Sequence, residues 1–426
     1  MQIRRDYSQP FFGDRRRRRG RGYWVFIFTF ILMTVGFLYF VDSNFHRLQI
    51  MALSAVGQGP EPTPFASTFA EQGYAAFLGG DVESAAALFG QAVAQQPNNV
   101  DYLYEYGRML IETGRYEEAV AAGETAIQSS PGDPRGYAIK ARALDLNGEP
   151  EAAIPVGQQG FQIDSSYAPV LAALASAYSS IDRYDVALDF AERAVEADPM
   201  DATARRVYAI SLIWVGRRDE AIEQLNEAIA INPNLTAPYF ELAGQYRGAS
   251  DFEMVVATYE AVLAINPQDP KGNLRLCQIY IQVGQDNRAQ GYCEDALTYA
   301  PDYAEAQSTL GWVMYRRRNY EGSIDMFRQC EANMAASGET VNEDTIRCFY
   351  MRGLAHYYLG ECNDAWNLLQ QSLPLLSFLP QYAADTIGGQ ISDGLSGVTA
   401  NCSGYVGRAL PTAIPPTAIP PTPIGG

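Results

Sequence analysis

Tyr208 to Pro233 reads "YAISLIWVGRRDEAIEQLNEAIAINP". The proline that closes this stretch recurs. Pro97, Pro131, Pro199, Pro233, Pro267 and Pro301 are spaced by 34 residues or by twice 34, and Ser165 stands at the skipped place. "AINP" occurs at residues 230–233 and again at 264–267, with "EADP" at 196–199. Chance does not hold such a register, and a fixed period of this length marks a stack of repeated structural units.

With this proline as position 32 of each unit, position 8 is always small: Gly73, Gly107, Ala141, Ala175, Ala209, Ala243, Cys277, Gly311 and Gly353. Position 20 behaves likewise, from Ala85 and Ala119 to Ala289, Ser323 and Ala365, with Val255 the largest. Position 15 is a turn residue, most often glycine, as at Gly80, Gly114 and Gly216. Each unit is therefore expected to be two helices joined by a tight turn, with small residues letting the backbones approach and proline closing the second helix.

This pattern resembles the tetratricopeptide repeat, with "YAAFLGGDVESAAALFGQAVAQQP" (74–97) and the opening stretch as clear instances. Nine units cover 66–379; the third lacks its proline, and "AASGETVN" (335–342) breaks the register before the ninth. The resemblance implies an all-α right-handed superhelix, its concave face lined by the first helix of each unit and used to bind a protein or peptide. Positions 2, 5, 9, 12 and 13 of that helix face inward in such repeats. Here they supply Arg108, Arg142, Arg206, Arg247 and Arg316 together with Tyr104, Trp214, Phe240, Trp312, Tyr315 and Tyr350. Guanidinium forks and aromatic rings are enriched at binding hot spots, so the expected partner segment is acidic or presents a carboxylate. The bland alternative is that these arginines pair with neighbouring acids such as Glu112 and Asp145.

Outside the repeats, five arginines (15–19) lead into residues 23–41, nineteen residues without a charge and with Tyr23, Trp24 and Tyr39 near the ends. A helix of that length covers roughly 28 Å, about a bilayer's hydrocarbon core. Retention of positive charge on the cytoplasmic side then implies a cytoplasmic segment 1–22, a transmembrane helix 23–41 and repeats outside. A cleaved signal peptide or a nucleic-acid-binding arm are the alternatives. The apolar run is long for a signal peptide, and the small-residue stretch at 52–55 lies well beyond it.

Eight arginines against two aspartates give residues 1–22 a charge of +6, which leaves −24 of the total −18 on the remainder. A body so acidic repels phosphate backbones, and nucleic acid is excluded as its expected partner. Only Lys140 and Lys271 represent lysine.

Residues 42–65 read as a linker ending in "GQGPEPTP", 380–405 as a capping segment and 406–426 as a Pro/Thr-rich tail. No metalloprotease, nucleophile-elbow, phosphate-loop or dinucleotide motif occurs, so neither catalysis nor a cofactor is expected. His46 follows the apolar run, and His356 falls on an interior helix face.

All six cysteines lie between residues 277 and 402. They lack paired metal-binding spacing and read either as free buried thiols or, outside the cell, as disulfides. Since each repeat touches only the next, neighbours are favoured: Cys277 with Cys293, Cys330 with Cys348, and Cys362 with Cys402. Positions 8 and 24 are expected to lie a turn from the closest helix contact, which counts against the first pair.

The expected function is a membrane-anchored scaffold in envelope assembly or secretion. A non-catalytic accessory subunit of an envelope enzyme and a structural spacer are its rivals.

Overall fold

In the computed structural model the described residues are 65–411 and isolated positions between 29 and 41. The basic segment, most of the apolar run, the linker and the end of the tail lie outside them. No helix among the described residues is long and apolar enough to cross a membrane.

Residues from Phe65 onward form one unit. It is an all-α superhelix of nine helix pairs. The first three are α1 (Ala66–Leu78) with α2 (Val82–Gln95), α3 (Val100–Glu112) with α4 (Tyr116–Ser129), and α5 (Pro134–Leu146) with α6 (Pro150–Ile163). Next come α7 (Ala168–Ser180) with α8 (Tyr184–Ala197), α9 (Ala202–Trp214) with α10 (Arg218–Ile231), and α11 (Ala237–Gly248) with α12 (Phe252–Ile265). The last are α13 (Pro270–Gln282) with α14 (Asp286–Tyr299), α15 (Ala304–Arg316) with α16 (Tyr320–Ser337), and α17 (Arg347–Tyr358) with α18 (Cys362–Ser372). A 3-10 turn (Leu373–Phe378) leads to a long final helix, α19 (Gln381–Asn401).

All nine residues at position 15 have positive φ, including the non-glycines Asp182, Ser250 and Arg318 near +60°. The left-handed residue lets the next N–H reach back five residues, as Asp81 does to the Ala76 carbonyl and Arg217 to that of Leu212. This closes the first helix of each pair with otherwise orphaned carbonyls satisfied. Four of the following first helices begin on a carboxylate or amide at position 34, where Asn99, Asp133, Asp201 and Asp269 accept from the first-turn N–H groups.

Every residue at positions 8 and 20 is buried, and position 8 lies directly against position 24. A Cβ on Gly73 would come within 3.0 Å of the Phe89 ring, one on Gly311 within 2.6 Å of Phe327, and one on Gly353 within 2.9 Å of Leu369. In the seventh pair the same two places hold Cys277 and Cys293, disulfide-bonded with Cα atoms 5.4 Å apart. The expectation that positions 8 and 24 lie a turn from the closest contact is therefore wrong. Both face the line along which the two helices of a pair approach, so a bridge fits there without a backbone shift.

The insertion at 335–342 does not form a free loop. It extends α16 to Ser337, ends it on left-handed Gly338, and returns through an Asn342 turn whose side chain accepts from the Asp344 and Thr345 N–H groups. Cys330–Cys348 straddles this detour, and Cys362–Cys402 ties α18 to the end of α19, with Cα atoms 6.0 Å apart in each. Helix α19 lays Ile387, Ile391, Leu395 and Val398 on the ninth pair, covering the apolar face that the stack leaves open.

At the other end the superhelix touches itself. The Asn234 side chain donates to the Leu78 carbonyl, 156 residues away, and Gly80 sits against Ile265, so the first pair meets the start and end of the sixth.

Candidate functional site

The first helices of the pairs line the concave wall, which carries three hollows. One of about 670 Å³ lies inside the first five pairs and the start of the sixth, bordered by Tyr74, Tyr104, Arg108, Arg142, Tyr167 and Leu235. A second, of about 540 Å³, is formed by Phe240, Arg247, Tyr259, Lys271, Arg275 and Arg347 with Gly244, Gln278, Thr309 and Asp344. The third, of about 760 Å³, opens between the eighth and ninth pairs and α19, lined by Trp312, Tyr315, Tyr350, Tyr357, Tyr358 and Tyr382 among others. Asp344 and Arg347, on the return from the insertion, border both the second and the third hollow.

Eight of the eleven residues read from the sequence as groove-lining therefore border these hollows. Arg206, Arg316 and Trp214 do not. Trp214 ends α9, is 57% exposed, and stacks on Tyr184 of the preceding pair at 5.1 Å between ring centres. Trp214, at the mouth of its turn, thus serves the neighbouring helix rather than the groove.

The arginine series is largely neutralised within the wall. Arg108 meets Glu105 at 2.8 Å, Arg142 meets Glu112 at 3.0 Å, Arg206 bonds Glu241, and Arg316 meets Asp286 at 3.1 Å. Three of these pairs join neighbouring repeats, so they brace the stack. Asp145 is not one of the partners; it accepts from the Ser176 hydroxyl. Arg247 alone of the five has no ion-pair partner among the described residues. Lys271, which the sequence reading passed over although it occupies inward-facing position 2, is likewise without one and rests 4.6 Å from the Phe240 ring centre.

Aromatic rings shape the hollows and are shaped by burial. Tyr104 is held above its usual range by desolvation, partly offset by the Arg108 charge, and Tyr350 is raised by burial in the same way. Burial also raises Tyr259, against the opposing influence of Arg247 and Arg275. These phenols stay neutral at any physiological pH and act as hydrogen-bonding groups, not as bases. Trp312 carries guanidinium groups of Arg347 at 4.8 Å and Arg316 at 5.6 Å, while Tyr320 and Tyr358 stack at 5.1 Å beside Tyr315.

Nothing among the described residues forms a nucleophile–base pair with an orienting third group. One set of metal-ligating types converges: His356, Glu361 and Asp364 bring ligand atoms within 4.8 Å of one another at the turn of the ninth pair. The His356 ring already meets Glu361 there, and the two acids are exposed.

Two tetratricopeptide repeat models match, at residues 71–134 and 182–246. The chain is 21% identical over 286 residues to TPR repeat-containing protein YpiA of Bacillus subtilis, covering 59% of this chain and 67% of that one. It is 26% identical over 243 residues to anaphase-promoting complex subunit 7 of Homo sapiens, covering 56% of this chain and 42% of that one. The crystal structure of the APC/C hetero-tetramer Cut9-Hcn1 superposes with a TM-score of 0.54 at 16% identity, over 73% of this chain and 59% of that chain. The last likeness is one of fold.

Proposed function

We propose that this chain, a tetratricopeptide-repeat protein, is a non-catalytic scaffold that holds a protein segment along its concave wall, tethered by residues 23–41 to the cytoplasmic membrane with the repeats outside. The wall itself carries the reading. Three hollows of about 540 to 760 Å³ follow one another along the first helices, with aromatic rings for contact area and arginines for directed hydrogen bonds. The partner segment is extended or helical and bears acidic groups. The human relative is by name a subunit of a larger complex, and membership of an assembly is the role assigned to this chain.

Support for the topology comes from the +6 segment beside nineteen uncharged residues and from three disulfides that belong in an oxidising compartment. Protease added to intact cells, with any outer envelope opened, is expected to digest residues 65–411 and spare the N-terminal segment. Protection of the repeats would reverse the assignment.

For the partner, cross-linking in membranes followed by capture of the full-length chain and peptide mapping is the direct test. The expected result is one protein in fixed ratio, with its cross-links on the first helices. Cross-links scattered over the second helices, or no protein in fixed ratio, would leave a spacer with an empty groove.

A further inference from the structure

Positive charge is concentrated at one place on the concave wall. In the second hollow Arg247 comes from α11, Lys271 and Arg275 from successive turns of α13, and Arg347 from the start of α17. Two acids answer the four cations: Glu305 holds Arg275 at 2.8 Å and Asp344 holds Arg347 at 2.9 Å. The hollow is left with two uncompensated positive charges inside a body that carries −24 outside residues 1–22.

We propose that this hollow is a binding site for a doubly charged tetrahedral oxyanion, the phosphoryl or sulfuryl group of a ligand. A single carboxylate would leave one cation in the hollow without a counter-charge, whereas a dianion balances it. The long-range field of the acidic body repels anions, so binding depends on short-range contacts at this one spot.

The groups are also held in advance of the ligand. Lys271 Nζ is seated 4.6 Å from the Phe240 ring centre and the Arg347 guanidinium 4.8 Å from that of Trp312. Arg275 Nη1 donates to Gln278 Oε1 at 2.7 Å as well as to Glu305, and the Gln278 amide returns a hydrogen bond to the same Glu305 oxygen at 2.9 Å. Arg247, exposed and without an ion-pair partner among the described residues, is free to close on the anion. Tyr259 is 4% exposed, lines the hollow, and makes no hydrogen bond to another described side chain, which leaves its hydroxyl to donate to an anion oxygen. Charge-assisted hydrogen bonds from several fixed donors are the strong kind, and fixing them beforehand reduces the entropy lost on binding.

The site goes beyond the scaffold reading and is tested without any partner. Isothermal titration of the full-length chain in mild detergent uses inorganic phosphate, sulfate and acetate at matched ionic strength. Phosphate and sulfate are expected to bind about tenfold or more tightly than acetate. Lys271→Ala and Arg247→Ala should each weaken the dianions about tenfold without altering the thermal midpoint in dianion-free buffer, because both side chains are exposed. Arg115→Ala, whose pair with Glu118 lies outside the hollow, should leave binding unchanged. Acetate binding as tightly as sulfate, or a Lys271→Ala/Arg247→Ala double variant titrating like the wild type, would overturn the site. A preference between phosphate and sulfate identifies the group. Dianion binding in the wild type with no protein captured from membranes removes only the scaffold reading.

Discussion

Phe327→Ala is expected to destabilise the C-terminal repeats by about 3–5 kcal/mol, the range for deleting a buried aromatic side chain. Phe327 is fully buried in the core that joins the eighth and ninth pairs. Its ring lies on Gly311, where even a single added carbon would be 2.6 Å away. Since Gly311 has no side chain to swing into the vacated space and α15 and α16 are fixed by their neighbours, the cavity cannot collapse. Urea titration with tryptophan fluorescence from Trp312 and Trp366 reports these repeats directly. Gly311→Ala in the Phe327→Ala background refills part of the hole and should recover part of the loss, although the same change in the wild type is destabilising. A loss below about 1 kcal/mol for Phe327→Ala would mean that the two helices close over the gap.

Removing the link between Cys362 and Cys402 is the second large effect. The bridge spans 40 residues, for which the chain-entropy model gives about 4 kcal/mol. It fastens a helix that is otherwise held on one face, by Ile387, Ile391, Leu395 and Val398. Just beyond it Tyr405 packs on Trp366 at 5.2 Å and Arg408 lies over both rings, so the bridge also sets the position of a small aromatic cluster. In Cys362→Ala/Cys402→Ala, hydrogen exchange should lose protection across residues 381–401 while residues 66–260 keep theirs. Reductant on the wild type should extend the loss back to α13, because all three bridges lie between Cys277 and Cys402. Uniform loss along the chain would show that the stack melts as one body, contrary to the nearest-neighbour energetics of repeat proteins.

The architecture was legible because the period is enforced by backbone geometry. Position 15 needs positive φ and positions 8 and 20 lie where backbones approach, so few residue types are accepted there and the pattern shows in a single sequence. The contact between positions 8 and 24 left only a partial mark on the sequence: small against large in Gly73 with Phe89, Gly311 with Phe327 and Ala209 with Leu225, but small against small in Gly107 with Gly123, Ala141 with Gly157 and Ala175 with Ala191.

The site was harder to read. Which arginines keep a free charge depends on acids that the superhelical offset brings up from a neighbouring repeat, the preceding one for Arg142 and Glu112, 30 residues apart, and the following one for Arg206 and Glu241, 35 apart. No spacing rule distinguishes Arg247 from the other four. Lys271 carried a signal, as one of two lysines in the chain and at an inward-facing position. Arg347 carried the positional signal too, since with Gly353 at position 8 it stands at inward-facing position 2 of the ninth unit.

The contact of Leu78 and Gly80 with Asn234 and Ile265 changes what kind of object the first six pairs form. An open stack has a free end, and its terminal repeat frays independently of the rest. Here the end is joined to a distant member by one hydrogen bond and one side-chain contact, so opening the first pair breaks these as well as its packing on the second pair. Leu78 and Asn234 also border the first hollow, so the contact closes that hollow where the stack begins.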